Sequence, residues 1–355
     1  KDPLYPRILQ HREYQKLLSV YIGITQPSGI VRGGLPIGRD GRVHPTFTHN
    51  TTTLRLACQD PNLQNLPRPR GEHDLQTIIR NLIVAPPGSH LLELDFAAIE
   101  AVLVGYFAGS AEYIRLAKMG IHAYLASHVL GRPADLSWSD ADLIAYFKEI
   151  KKSRDQHVID IYNSSKRTSH LSGYGGTPRK MFEMDPIAFA SIKDAKRLQD
   201  TYFDICPDIR AWHIATQLQA DKAGFLRNPF GYVHRFYHIF NWKKEFGTWS
   251  KSPGADANKC LAFLPQSTAA GIIKEAMLRL YFDRFEEAGR YLRLQVHDSL
   301  LAEVPDAMLS SVLTVIKQEM EKPIPELALP TSYNMGPSLS IDVDSKQGVR
   351  WGSMS

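Results

Sequence analysis

The sequence predicts a mixed α+β fold in two lobes, and three observations carry that expectation. Its 355 residues exceed the roughly 250 to 300 at which one hydrophobic core stops growing. Helical periodicity runs through residues 141–172 and again from Gln266 to Glu287, and each stretch is long enough to organise a lobe. A short apolar run, Leu91 to Phe96, reads instead as a buried strand, and the alternating stretch Tyr291 to Val304 as a β-hairpin. Strand and hairpin are candidates to be neighbours in one sheet.

Along the chain, residues 1–24 read as helix, with Tyr14, Leu17, Leu18 and Tyr21 near one face, and the Gly- and Pro-rich residues 27–45 break it. Pro86, Pro87 and Gly88 precede the strand, which feeds the helical stretch Ala97 to Phe107 and leaves Asp95 at the strand's end. Gly173, Gly175, Gly176 and Pro178 stop the helical pattern of 141–172. Ile272, Ile273, Ala276, Met277 and Leu280 share a face of the second long helix. In "YLRLQVHDSLLAEV" the alternation runs on either side of His297 and Asp298, so the pair sits at or near the hairpin's turn. There is no internal repeat and no low-complexity tract.

Composition excludes more than it assigns. Apolar residues at 43% and charged residues at 22% are ordinary globular values, and no run approaches the ~20 apolar residues of a membrane span. A soluble protein is expected, in the cytoplasm. Lys and Arg outnumber Asp and Glu by 42 to 37, a mild excess that suits a polyanionic partner without identifying one. Cys58, Cys206 and Cys260 are far apart without CxxC spacing, which indicates buried thiols rather than a disulfide framework or zinc site. The chain starts at Lys1 rather than Met, and no charged-then-apolar leader follows that would read as a signal peptide; a segment cut from a longer chain is expected.

Asp95 and Asp298 are the pair that chemistry singles out. Magnesium takes hard oxygen ligands, keeps waters, and is typically held by one or two carboxylates plus the substrate's phosphates. In a two-metal phosphoryl-transfer site one ion activates the attacking hydroxyl and the other stabilises the leaving group. A lone aspartate at such a place is more often a cap or turn residue, so context has to decide.

That context is five stretches in one order: "DPNLQNLP" at 60–67, "LELDFAAIE" at 92–100, "SKRTSHLSGYGG" at 165–176, "LPQSTAAGIIKEAM" at 264–277 and "LQVHDSLLAEVP" at 294–305. The set resembles the family A DNA polymerases, of phage or bacterial type, over nearly the whole chain. The resemblance implies a right-hand polymerase fold with an antiparallel palm sheet and mainly helical fingers. The segments it implies are thumb base and linker over 1–45, palm over 46–109 and 256–355, and fingers over 110–255. Thumb and exonuclease domain would lie largely outside this chain. It implies templated DNA synthesis, with primer-template DNA and dNTPs as partners and two Mg2+ ions as cofactors, Mn2+ being a substitute. The resemblance also admits replication accessory proteins as further partners.

Residue by residue, the resemblance makes Asp95, Asp298 and the backbone carbonyl of Phe96 metal ligands. Glu100 matches the position that excludes a ribose 2′-hydroxyl. Lys166, His170 and Tyr174 recur every four residues and so share a helical face; on residues alone such a stripe is more often a solvated surface. The resemblance makes Lys166 the triphosphate contact and Tyr174 the residue at the nascent base pair, with His170 replacing a more usual aromatic ring. His122 in "GIHAYL" matches a histidine that also touches the triphosphate. Arg55, Gln64, Asn65, Gln266, Gln295 and His297 match positions along primer and template, mostly facing the minor groove, where shared acceptors allow pair geometry to be tested without reading sequence.

Three departures stand out. Tyr162 occupies the place of an arginine, and a phenol cannot give a phosphate the bidentate contact of a guanidinium. Either Arg167 or Arg154 substitutes from a shifted position, or triphosphate binding is weaker. Ser299 follows the His-Asp pair where many members have glutamate, which removes a third metal carboxylate. The stretch from Arg132 to Ser165 is longer than its usual counterpart. Ser299 also leans towards the nearest rival, a phage-type single-subunit RNA polymerase, whereas Glu100 and "DPNLQNLP" lean back. A non-catalytic nucleic-acid-binding relative is the other alternative, against which stands the retention of both aspartates and Lys166.

Overall fold

The computed structural model describes residues 4–29, 31–67, 75–186, 188–245 and 248–355. Residues 1–3 and 30 of the expected thumb-base segment, 68–74 of the expected palm, and 187 and 246–247 of the expected fingers lie outside the described residues. In chain order, the elements that matter for function are α1 (Leu4–Leu17), β1 (Ser89–Phe96), α2 (Ile99–Ala108), α3 (Ile121–Val129), α4 (Asp140–Lys151), α5 (Gln156–Gly173), α6 (Ile192–Ile205) and α7 (Pro207–Ala223). They continue with β2 (Phe240–Glu245), β3 (Thr248–Pro253), α8 (Ala257–Phe282), β4 (Leu292–Val296), β5 (Ser299–Pro305) and β6 (Val343–Gly348). The expected mixture of helix and sheet is what forms.

Two compact units divide the chain. One comprises Lys1–Asp95, Ala276–Glu319 and Val343–Ser355; the other comprises Phe96–Glu275 and Met320–Asp342. The first is built on a four-stranded sheet in the order β4-β5-β1-β6, with β4 antiparallel to β5 and β5 antiparallel to β1. On one sheet face Leu91, Leu294, Val296 and Leu301 pack with Leu17, Tyr21, Leu63, Ile79 and Trp351. On the other, Leu92, Leu94, Leu300, Ala302 and Val304 are at most 1% exposed. Burial on both faces explains why "LLELDF" and "SLLAEV" are near-continuous apolar runs rather than strict alternations.

The second unit is mainly helical. α5 buries a stripe of small residues, Ser164, Ser165, Thr168, Ser169, Ser172 and Gly173, and so lies close against its neighbours. That spacing, two adjacent residues every four, is one helix face, and it leaves Lys166, Arg167 and His170 exposed on the others. At its far end, Gly176 admits no side chain, because a Cβ there would sit 2.7 Å from the Leu171 carbonyl oxygen.

The elements differ from expectation in three places. The helical pattern of 141–172 is two helices, α4 and α5, because the Asp155 side chain accepts the His157 N–H at 2.9 Å and caps a fresh start. The long helix expected to begin at Gln266 begins at Ala257 and runs through Pro265. Proline removes one backbone hydrogen bond, but Leu261, Phe263 and Leu264 are buried just before it, and that packing keeps the upstream turns helical. The same helix ends at Phe282 rather than Glu287, and the chain then doubles back so tightly that a Cβ on Gly289 would run into the Leu280 carbonyl. Of the four residues expected on one face of a helix over 1–24, Leu17 and Tyr21 are buried and Tyr14 and Leu18 are exposed; α1 ends at Leu17 and a π-helical turn over Leu18–Ile22 re-aims the face.

Candidate active site

β1 delivers Asp95 and the β4–β5 hairpin delivers Asp298. Val296 pairs with Ser299, so His297 and Asp298 form a two-residue turn, with His297 at a φ of 54°. Ser299 pairs in turn with Asp95. The register therefore sets Asp95 directly across from the residue after Asp298, roughly one strand spacing away. Asp95 is exposed and Asp298 half-buried. The Arg55 guanidinium lies 3.5 Å from the Asp298 carboxylate and offsets part of its charge.

Side chains behind this turn hold it in place. Gln64 donates from Nε2 to the Gln295 carbonyl at 3.1 Å and to Gln295 Oε1 at 3.0 Å, and Gln295 donates in turn to the His297 carbonyl. Both glutamines are buried, at 8% and 4% exposure, so their amides are directed at each other and at the turn. Asn65 and His297 are exposed and Arg55 is half-buried; Gln266 is half-buried on α8 in the other unit. One carboxylate was missed in the sequence. Glu93 precedes Asp95 by two and so shares its strand face; it accepts from Ser299 Oγ at 3.4 Å and from Trp351 Nε1 at 3.2 Å. The signal that points to it is an acidic residue inside the apolar run "LLELDF".

Among the described residues, no three His, Cys, Asp or Glu side chains are grouped to hold an ion. A pair of hard, acceptor-only carboxylates is nonetheless the donor set of a magnesium site that a phosphate-bearing substrate completes. Asp95 and Asp298 fit that description.

In the helical unit, α5 presents the second constellation. Lys166 and His170 are exposed on it, and Tyr174 caps its end, with the His170 and Tyr174 rings edge-to-face at 5.6 Å. Tyr174 donates its hydroxyl to Glu100 Oε2 at 2.5 Å, tying the end of α5 to the first turn of α2. His213 on α7 bonds the Gly173 carbonyl at 2.9 Å, and Gln199 on α6 donates to the Gly176 carbonyl at 2.7 Å, so the helix end is fixed from two sides. His122 on α3 bonds Ser169 Oγ through Nδ1 at 2.5 Å. Burial, reinforced by the positive charges of Lys166, His170 and Lys151, pushes His122 down to about 4. His122 is thus a neutral imidazole at physiological pH, a hydrogen-bonding group rather than a cation.

The sequence and the fold have counterparts among known proteins. The sequence matches the profile of DNA polymerase family A over residues 1–141 and 162–353. The chain belongs to that family. It is 31% identical over 341 residues to the thermostable DNA polymerase I of Thermus thermophilus, covering 94% of this chain and 36% of that protein. DNA polymerase I of Lactococcus lactis subsp. lactis is 29% identical over 358 residues, covering 99% of this chain and 35% of its own length. This chain thus spans about a third of the curated relatives it matches. Among solved structures, the POL domain of Pol1 from M. smegmatis, in complex with DNA primer-template and dNTP, shares the fold with a TM-score of 0.66. The likeness covers 89% of this chain and 49% of that one at 23% identity.

The family A profile leaves 142–161 unmatched, inside the stretch expected to be longer than its counterpart. Most of α4 lies there, and it ends on Lys151, one of the charges acting on His122. Lys151 is a cation that the sequence reading did not single out. Arg167 is ion-paired with Asp185, and Arg154 precedes α5, whose first residue, Gln156, is already about 15 Å along the helix axis from Lys166. Tyr162 is half-buried, which raises its phenol above the usual value. Cys58, Cys206 and Cys260 are buried and unbridged, and no helix among the described residues is long and apolar enough to cross a membrane.

Proposed function

We propose that this chain carries the nucleotide-adding centre of a DNA-directed DNA polymerase, with palm over 46–109 and 256–355, fingers over 110–255 and thumb base over 1–45. The observation that carries the reading is the strand register that brings Asp95 opposite the His297–Asp298 turn. In the reaction the primer 3′-hydroxyl attacks the α-phosphate of a templated dNTP and pyrophosphate leaves. Two Mg2+ ions held by Asp95, the Phe96 carbonyl and Asp298, with Mn2+ as a substitute, would supply Lewis-acid activation of the hydroxyl and neutralise charge on the leaving group.

Lys166 binds the triphosphate as a point charge, and Lys151 adds a second cation where the family's arginine is replaced by Tyr162. His122 starts as a neutral imidazole; the phosphates' negative charge draws a proton onto it, and it then donates a charge-assisted hydrogen bond to them. Glu100, anchored by Tyr174, crowds the sugar 2′ position and so selects deoxynucleotides. Arg55, Asn65, His297 and Gln266 line primer and template, while Gln64 and Gln295 act one step back by holding the turn. Glu93 positions Ser299 beneath the carboxylate pair. The cytoplasm is the compartment this role implies.

Primer extension with four dNTPs, four rNTPs and the Asp298→Ala variant tests the reading. The expected outcome is extension with dNTPs only, lost in the variant. Glu100→Ala should raise rNTP use relative to dNTP at least about tenfold. Equal use of both nucleotide sets by the parent chain, with no response to Glu100→Ala, would instead make this an RNA polymerase.

A further inference from the structure

The strands β2 and β3 form a hairpin in the helical unit that the polymerase centre does not use. Their register sets Trp242 opposite Lys251 and Lys244 opposite Trp249. Strand periodicity therefore gathers Phe240, Trp242, Lys244, Trp249, Lys251 and Pro253 on one face and leaves Asn241, Lys243, Thr248, Ser250 and Ser252 on the other. Phe240 packs against the cluster of Leu226, Phe236 and Ile239 and roots the hairpin. Beyond that root no layer among the described residues covers the aromatic face: Trp242 is 56% exposed and Trp249 61%. The ammonium of Lys251 lies 4.3 Å from the Phe240 ring centre and 5.9 Å from that of Trp242, and Lys244 lies 5.9 Å from Trp249.

A two-stranded hairpin is marginally stable on its own, and two open indoles on it lose the benefit of burial. A face of that make-up fits a partner that offers flat apolar faces and negative charge in alternation. A single-stranded polynucleotide does so, with bases to stack on the indoles and phosphates to meet the ammonium groups. A duplex hides its base faces, and an apolar protein surface would have to desolvate Lys244 and Lys251 without compensation. We propose that the β2–β3 hairpin is a binding site for single-stranded nucleic acid, and for this enzyme the unpaired template strand. The choice of template DNA rests on the proposed polymerase function; the binding chemistry does not.

The test uses the whole chain and oligo-dT, with oligo-U as a second arm, read by fluorescence anisotropy and by quenching of tryptophan emission. Oligo-dT should quench the parent chain, and Trp242→Ala/Trp249→Ala should lose both the quenching and at least about tenfold in affinity. Trp242→Phe/Trp249→Phe should retain most of the affinity, which separates stacking from a folding defect, and Lys244→Ala/Lys251→Ala should flatten the salt dependence. Extension on a primer-template with a one-nucleotide overhang should be unchanged in all three variants, while affinity for a long overhang falls in the two alanine variants. If oligo-dT and oligo-U affinities are the same in parent and Trp→Ala variant, the proposal is wrong. It is equally wrong if the hairpin variants lose binding only to anionic phospholipid vesicles. Failure of the parent chain to extend any primer would overturn the polymerase reading and leave the oligonucleotide result to decide the hairpin.

Discussion

His122 shows how a residue's surroundings change its role. Its ordinary value is 6.5 and its folded value about 4, so between those limits the unfolded chain takes up the proton and the folded chain does not. The penalty is absent above about pH 6.5, grows as the pH falls, and levels off below about 4. At that plateau its size is on the order of 3 kcal/mol. Chemical denaturation at pH 7 and pH 4.5 should show this loss in the parent chain and a smaller one in His122→Leu. Triphosphate binding should reverse the trend and take up protons at His122, measurable as a buffer-dependent heat of dNTP binding. Glu93 and Ser299 make the opposite point, since a serine and a carboxylate occupy one sheet face beside Asp95 and meet each other. Glu93→Gln should leave DNA affinity intact and shift the Mg2+ midpoint of extension upward by a few-fold, with a matching shift in Mn2+ binding followed by electron paramagnetic resonance.

At the scale of elements, α5 and the β4–β5 hairpin carry the account. Lys166→Ala should raise the KM for dNTP roughly 10- to 100-fold, the worth of a charge-assisted phosphate contact, whereas Lys151→Ala should cost a few-fold and fade in high salt. Steady-state kinetics at two ionic strengths separates them. Gly176→Ala forces a Cβ against the Leu171 carbonyl and should lower stability by about 1 to 3 kcal/mol in urea titration. Local pattern made much of this legible: the strand before Asp95, the turn at His297 and Asp298, and the four-residue repeat of Lys166, His170 and Tyr174 all follow from periodicity and punctuation. What pattern hid depends on distant partners. Nothing near Gln64 in sequence says that it faces Gln295, and Lys151 matters only because α4 folds beside His122. Pro265 reads as a helix break until the burial around it is known, and "FNWKKEFGTWSKSP" shows its aromatic face only once the strands are paired.

At the scale of the molecule, the two units carry different parts of the chemistry. The sheet unit holds Asp95, Asp298 and the Arg55 beside it, and the helical unit holds Lys151, Lys166, His122 and the Glu100–Tyr174 bond. Sequence alone reached the family because five motifs kept one order, and the profile match over 1–141 and 162–353 bears this out. The most direct test of the central claim is single-turnover primer extension by this chain, run beside its Asp95→Ala and Asp298→Ala variants, with primer-template affinity measured on the same samples. The expected result is dNTP addition by the parent, a loss of at least about a thousandfold in each variant, and DNA affinity within a few-fold of the parent. Extension at a near-parental rate by either variant would contradict it.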